Sequence, residues 1–228
     1  MIALVTLLVT AFGNGSSTPA SRAALAPAQR LLPAGPPRPQ VIALQGALRI
    51  QLPVSQARLT AIGYHGVSDG SLALQPLGRQ ANEGTLTRLA RSVFGGSHRG
   101  LSYYQLSGGE GPATSALDIG AAPGTDVYAP ADGAVVALTP FVVNGKTYGA
   151  EIEIQPTAAP SLVISLTHIR PDPALTVGSS VAAGTSKLGA VLDLSHAEKQ
   201  ALGKYTQDAG NHVELTVREG ATTALTAP

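Results

Sequence analysis

Through the second half of the chain, apolar and polar residues alternate in short runs. This period-two pattern puts successive side chains on opposite faces of a β-strand. In GAEIEIQ (149–155) Ile152 and Ile154 share a face, and in SLVISLT (161–167) Leu162, Ile164 and Leu166 do the same. LSYYQL (101–106), the VYA and AVVAL runs on either side of a Pro-Ala-Asp-Gly turn (130–133), and HVELTV (212–217) read as further strands. AIGYH (61–65) reads as a short strand in the first half. Residues 84–94 carry Leu86, Leu89, Ala90, Val93 and Phe94 at helical spacing, with Gly95 and Gly96 as the stop, and so predict a helix braced on the sheet. A second short helix is expected within 195–205. The strand spacing predicts a mainly β fold, an antiparallel sandwich or coiled β core with one or two short helices.

The pattern also divides the chain. Residues 1–12 are almost wholly apolar. That is shorter than the roughly 20 residues that span a bilayer, but it is the length of the apolar core of a signal peptide. No basic residues precede the run, and Ala24-Leu25-Ala26 offers a cleavage pattern. Residues 1–13 are therefore read as a signal peptide or N-terminal membrane anchor, which implies an exported, extracytoplasmic protein. Residues 14–40, rich in Pro, Ala, Gly and Ser, read as an extended linker. Residues 41–99 form an N-terminal extension carrying the first helix, and 100–228 form the β domain.

Composition narrows the function. At 44% hydrophobic and 13% charged residues the chain is too apolar to be disordered, and its 26 glycines and 17 prolines supply many turns. The formal charge of +1 and the absence of any Lys/Arg run argue against nucleic-acid binding. With no cysteine, disulfides and thiolate metal sites are excluded.

Four segments, in order, carry a family pattern. The first runs from Leu117-Asp118-Ile119-Gly120 through Gly124-Thr125-Asp126-Val127-Tyr128-Ala129 to Asp132-Gly133-Ala134-Val135. The second is Tyr148-Gly149 with its alternating strand, and the third is Leu166-Thr167-His168-Ile169. The fourth joins Val177-Gly178, Val181-Ala182-Ala183-Gly184 and Leu188-Gly189 to Gly210-Asn211-His212-Val213-Glu214-Leu215. Together they resemble the core of the lysostaphin-type (LytM) zinc metalloendopeptidases over the last 110–120 residues. The resemblance implies a zinc ion held by the His and Asp of H-x-x-x-D and by the second His of H-x-H. It also implies a catalytic pair formed by the first His of H-x-H and a further His. Carried over, Asp118 matches the aspartate ligand, while Thr114 stands where the H-x-x-x-D histidine would be. Glu214 stands where the second histidine of H-x-H would be, and His212 and His168 match the catalytic pair.

Two of three family ligands are thus replaced, which predicts a degraded zinc site with the ion weakly held or absent. The expected function is binding of peptidoglycan stem or cross-bridge peptides, or regulation of a cell-wall hydrolase. The alternative is an active zinc-dependent peptidoglycan endopeptidase with an unusual ligand set. Imidazoles and carboxylates together suit Zn, Mn or Fe, so a shifted metal site is chemically open. In the absence of a metal the same groups pair as imidazolium and carboxylate. His65, His98 and His196 are weighed as substitutes for the missing ligand, His98 because its loop precedes the strand that would flank the site, and each is expected to be an ordinary surface or cap histidine. Asp132 is expected to form its turn. Biotinyl or lipoyl carriers and phosphocarriers share the Val/Gly pattern. A carrier lysine beside Met has no counterpart, since Met1 is the single methionine, and the apolar leader argues against an intracellular phosphocarrier.

Overall fold

The computed structural model describes residues 35–83 and 101–220, all within the compact unit Ala34–Pro228. The expected signal segment, most of the linker, the expected helix at 84–94 and His98 lie outside the described residues. In chain order the strands are β1 (Val41–Gln45), β2 (Leu48–Gln51), β3 (Leu59–His65), β4 (Gln75–Pro76), β5 (Arg79–Gln80), β6 (Ser102–Gln105) and β7 (Ala116–Ala121). There follow β8 (Asp126–Tyr128), β9 (Gly133–Val143), β10 (Lys146–Pro156), β11 (Leu162–Pro171), β12 (Ser180–Val181), β13 (Lys187–Val191) and β14 (His212–Glu219). The fold is mainly β. Among the described residues the helix expected within 195–205 is a single 3-10 turn, Ala201–Lys204.

The large sheet has the order β12-β9-β10-β11-β14-β7-β3-β6-β5, with β13 bridging β11 and β8. Its pairings are antiparallel except where β6 meets β3 and β5, which run parallel to it. The smaller sheet has the order β2-β1-β4. Alternation explains the central strands. Leu117, Ile119 and Ala121 of β7 and Val213, Leu215 and Val217 of β14 are fully buried in the core, which leaves Asp118, His212 and Glu214 on the opposite face. Each such aliphatic side chain contributes roughly 1.5–3 kcal/mol on burial. The small sheet joins the same core through Ile42, Leu48 and Ile50, and the Tyr64 hydroxyl donates to Ile42 O at 3.2 Å.

Three local features shape what the sheet presents. β9 and β10 form a long hairpin closed by Asn144 (φ 50°) and Gly145 (φ 77°), the paired positive φ values that a two-residue hairpin turn requires. β3, from the segment expected as an N-terminal extension, is an interior strand between β7 and β6. β11 carries one extra residue: Leu166 faces Ile152 while Ile169 faces Ala150. His168 sits in that bulge at φ 62°.

Candidate metal centre

β11, β14, β7 and β3 are neighbours in that order, and each delivers a polar side chain to one face. Glu214 and Asp118 are direct register partners, which places two carboxylates side by side. The partner of Asp118 on β3 is Gly63, and the next residue of β3 on that face is His65. Its Nε2 lies 3.2 Å from Asp118 Oδ1 and 3.4 Å from Glu214 Oε2. The ligand atoms of His65, Asp118 and Glu214 lie within 4.8 Å of one another. Ligand atoms about 2.0–2.1 Å from a tetrahedral ion are themselves about 3.3 Å apart, which the two distances from His65 Nε2 match.

His65 was expected to be an ordinary surface histidine, and the structure corrects that reading. The sequence signal was its position in AIGYH, sharing a face with Ala61 and Gly63 and opposite the buried Ile62 and Tyr64. The pairing of β3 with β7 could not be read from it, because 53 residues separate His65 from Asp118. Thr114, at the family's histidine position, takes no part in the cluster through its hydroxyl, which donates to Leu74 O at 2.7 Å.

His65 is held from behind. Its Nδ1 lies 3.2 Å from Gly66 O, and since both ring nitrogens face acceptors, both carry protons in the metal-free site. Hydrogen bonds to Asp118 and then Glu214 raise its pKa to about 10, against the opposing effect of burial. The Nδ1–H to Gly66 O bond is also the backing that orients a metal-bound imidazole. The segment after His65 is clamped. Val67 N donates to Ser115 Oγ at 2.9 Å, and Gly109, at φ 89°, approaches so closely that a Cβ there would stand 2.0 Å from Gly66 O. Only glycine fits that contact.

In a regular strand His168 would face the core with Leu166; the bulge turns it to the site face instead. Its Nδ1 is 3.1 Å from His212 Nε2, and Phe141 packs edge-on against its ring with centroids 4.9 Å apart. Burial, then the neighbouring His212, pushes its pKa down to about 4. His212 donates from Nδ1 to Gly210 O at 2.9 Å, and its Nε2 lies 3.6 Å from Asp118 Oδ1. Burial opposes the charge on Asp118, but His212, His65 and His168 together hold its carboxyl below the usual range. Thr167, the register partner of Glu214, has a buried hydroxyl with no hydrogen-bond partner.

The cluster floors a cleft of about 610 Å³. Its walls come from Ser107–Gly109, from the β9–β10 hairpin at Phe141–Asn144, and from Glu198–Ala201. The expected metal residues Asp118 and Glu214 and the expected catalytic residues His168 and His212 therefore lie in one cleft, with His65 added. His196 is not among the residues lining it.

No family model matches the sequence, and no curated protein matches it. Among solved structures the chain is similar to Csd3 of Helicobacter pylori in its hexagonal crystal form. The TM-score is 0.37 at 17% identity over 78% of this chain and 32% of that one. The orthorhombic form gives a TM-score of 0.36 at 17% identity, covering 76% and 33%. Pseudoalterin, described as a novel M23 metalloprotease from the deep sea, gives 0.38 at 17% identity, covering 75% of this chain and 71% of that one. The chain thus spans about a third of the length of Csd3.

Proposed function

We propose that this cleft binds one divalent cation through His65, Asp118 and Glu214 and hydrolyses a peptide bond. The observation that carries the reading is the placement of His65 Nε2 against both carboxylates. It supplies an imidazole donor that the H-x-x-x-D position lacks. One neutral imidazole and two carboxylates leave a divalent ion electrically neutral, and such a donor set suits zinc or manganese. When bound, the ion supplies a Lewis acid and lowers the pKa of a coordinated water to near 7.

The remaining residues serve proton movement and orientation. With His212 neutral and its Nδ1 proton held by Gly210 O, its Nε2 accepts from His168 Nδ1–H. A proton taken up at His168 Nε2 is compensated by passage of the Nδ1 proton to His212 Nε2. Burial of His168 keeps the ring neutral and ready to act in this way at neutral pH. The substrate class, the wall peptides of peptidoglycan, and the extracytoplasmic location rest on the family resemblance and on the apolar run at residues 1–12. Among the described residues no helix is long and apolar enough to cross a membrane.

A second reading has its own support. Without an ion, His65 as an imidazolium already neutralises Asp118 and Glu214, so the triad is complete as an ion-paired cluster. In that case the cleft binds wall peptides or a hydrolase partner without cutting. Metal analysis of the purified protein, followed by a cell-wall zymogram with and without chelator, separates the two. The hydrolase reading expects about one metal ion per chain and chelator-sensitive clearing, both lost in His65→Ala. Absence of stoichiometric metal together with absence of clearing ends it and leaves the binding role.

A further inference from the structure

One transverse row of positions crosses the four central strands at the metal centre. Thr167 of β11 pairs in register with Glu214 of β14, Glu214 with Asp118 of β7, and Asp118 with Gly63 of β3. The adjacent row, Leu166, Leu215, Leu117 and Tyr64, is buried in the core. Alternation therefore sets Thr167 on the site face, beside Glu214 and on the side away from Asp118.

The three donors of the cluster differ in what holds them. His65 has Gly66 O behind its Nδ1 at 3.2 Å, and Asp118 has His212 Nε2 at 3.6 Å in addition to His65. Glu214 has His65 alone: its Oε2 lies 3.4 Å from Nε2, and no other donor among the described residues reaches it. Its row neighbour shows the reverse want. The Thr167 hydroxyl is shut off from solvent and has no hydrogen-bond partner, a state that folded proteins rarely leave uncompensated. An unmet donor and an under-supported acceptor thus stand side by side.

The two can meet. Register partners have Cβ atoms about 4.5–5.5 Å apart, and a hydroxyl one bond from its Cβ can reach a carboxylate two bonds out from its own. In the metal-free site His65 draws Glu214 toward β3, away from β11, which leaves the hydroxyl without its acceptor. With His65 turned to a metal instead, that pull is gone. No assigned titration enters, because a threonine hydroxyl carries its own proton and a carboxylate accepts.

We propose that Thr167 is a positioning residue for Glu214: its hydroxyl donates to the carboxylate when Glu214 serves as a metal ligand, and fixes which oxygen faces the ion. Ligating carboxylates are commonly held by such hydrogen bonds from the surrounding protein. The inference rests on Glu214 being a ligand, as proposed above, and is independent of whether a peptide bond is cut.

Calorimetric titration of wild type, Thr167→Val and Thr167→Ser with zinc tests it, with urea unfolding of the metal-free proteins alongside. Thr167→Val nearly keeps the shape and removes the donor. It is expected to weaken zinc binding about tenfold, the lower end for a residue that supports a ligand. Its metal-free urea midpoint is expected to be no lower than that of wild type, because an unpaired buried hydroxyl has been removed. Thr167→Ser keeps the donor and is expected to restore wild-type affinity. Unchanged affinity in Thr167→Val overturns the inference. So does a loss in Thr167→Ser equal to that in Thr167→Val, which would assign the effect to packing. If Thr167→Val does not fold, Thr167→Ala takes its place in the comparison with Thr167→Ser. The metal reading fails separately. A wild type that takes up no zinc ends both, whereas zinc binding lost in His65→Ala and unchanged in Thr167→Val ends this inference alone.

Discussion

Asp118 and Glu214 are register partners across β7 and β14, and they share one imidazole: His65 Nε2 lies 3.2 Å from the first carboxylate and 3.4 Å from the second. Asp118 is almost fully buried, while the Glu214 side chain is 25% exposed. Removing the imidazole leaves two carboxylates facing one another. His65→Ala is expected to lower divalent metal affinity at least about 100-fold, beyond the loss typical of a residue that only supports a ligand. In metal-free protein it is expected to cost about 3 kcal/mol, the lower end for breaking a buried ion pair because Glu214 keeps some contact with water. Calorimetric titration with zinc and urea unfolding measure the two effects.

Metal uptake must displace a proton from His65. The folded pKa, about 10, lies above the unfolded value near 6.5. The ion-paired triad therefore stabilises the metal-free fold fully below pH 6.5 and loses that contribution as pH rises through about 10. Zinc or manganese affinity runs the other way, rising about tenfold per pH unit from about pH 6 and levelling near pH 10. Titrations in two buffers of different ionisation enthalpy are expected to show release of about one proton per ion. A pH-independent affinity would place the ion elsewhere.

His168 gives the opposite pH signature. Burial and His212 depress its pKa to about 4. As pH falls below 6.5 the unfolded chain takes up a proton that the folded chain refuses, so stability drops between pH 6.5 and about 4. The full effect is roughly 3 kcal/mol. His168→Asn keeps a residue that tolerates the positive φ and is expected to flatten this acid limb. Urea midpoints at pH 7 and pH 4.5, measured without metal, provide the comparison.

The clamp behind His65 is testable through Gly109. A Cβ there would stand 2.0 Å from Gly66 O in a backbone held at φ 89°. Gly109→Ala is expected to destabilise the fold by about 1–3 kcal/mol. It should also weaken metal binding, because Gly66 O is the acceptor for His65 Nδ1. Affinity measured well below the melting temperature separates the displaced ligand from general loss of fold.

Thr114 offers the control. Its hydroxyl is engaged with Leu74 O at 2.7 Å, so Thr114→Val is expected to cost about 1 kcal/mol of stability and leave metal affinity unchanged. A large drop in affinity would return Thr114 to the ligand set and displace His65 from it.

The strands on which the site is built were legible because burial on one face imposes period two. β14 reads as His-out, Val-in, Glu-out, Leu-in, so His212 and Glu214 share a face before any coordinates are known. Two things were not legible. Strand adjacency is a long-range choice, and nothing within AIGYH says that β3 inserts beside β7. His168 would face the core on a regular strand; only the extra residue between Leu166 and Ile169 turns it outward. A ligand inventory based on spacing along the chain therefore counted Thr114 as a loss and had no ground for ranking His65 above His98 or His196 as the substitute.

The position of β14 also sets the order of assembly. It is the last described strand in sequence, yet it lies in the middle of the large sheet, between β11 and β7. A ribosome releases β3, β7 and β11 before it; β3 can pair with β7 directly, but β11 is joined to β7 only when β14 arrives to pair with both. His65 and Asp118 thus wait through 96 further residues of synthesis, counted from Asp118 to Glu214, before the third donor reaches them. The growing chain has no complete cleft until β14 is in place, so the site matures only when β11 and β7 are joined through it.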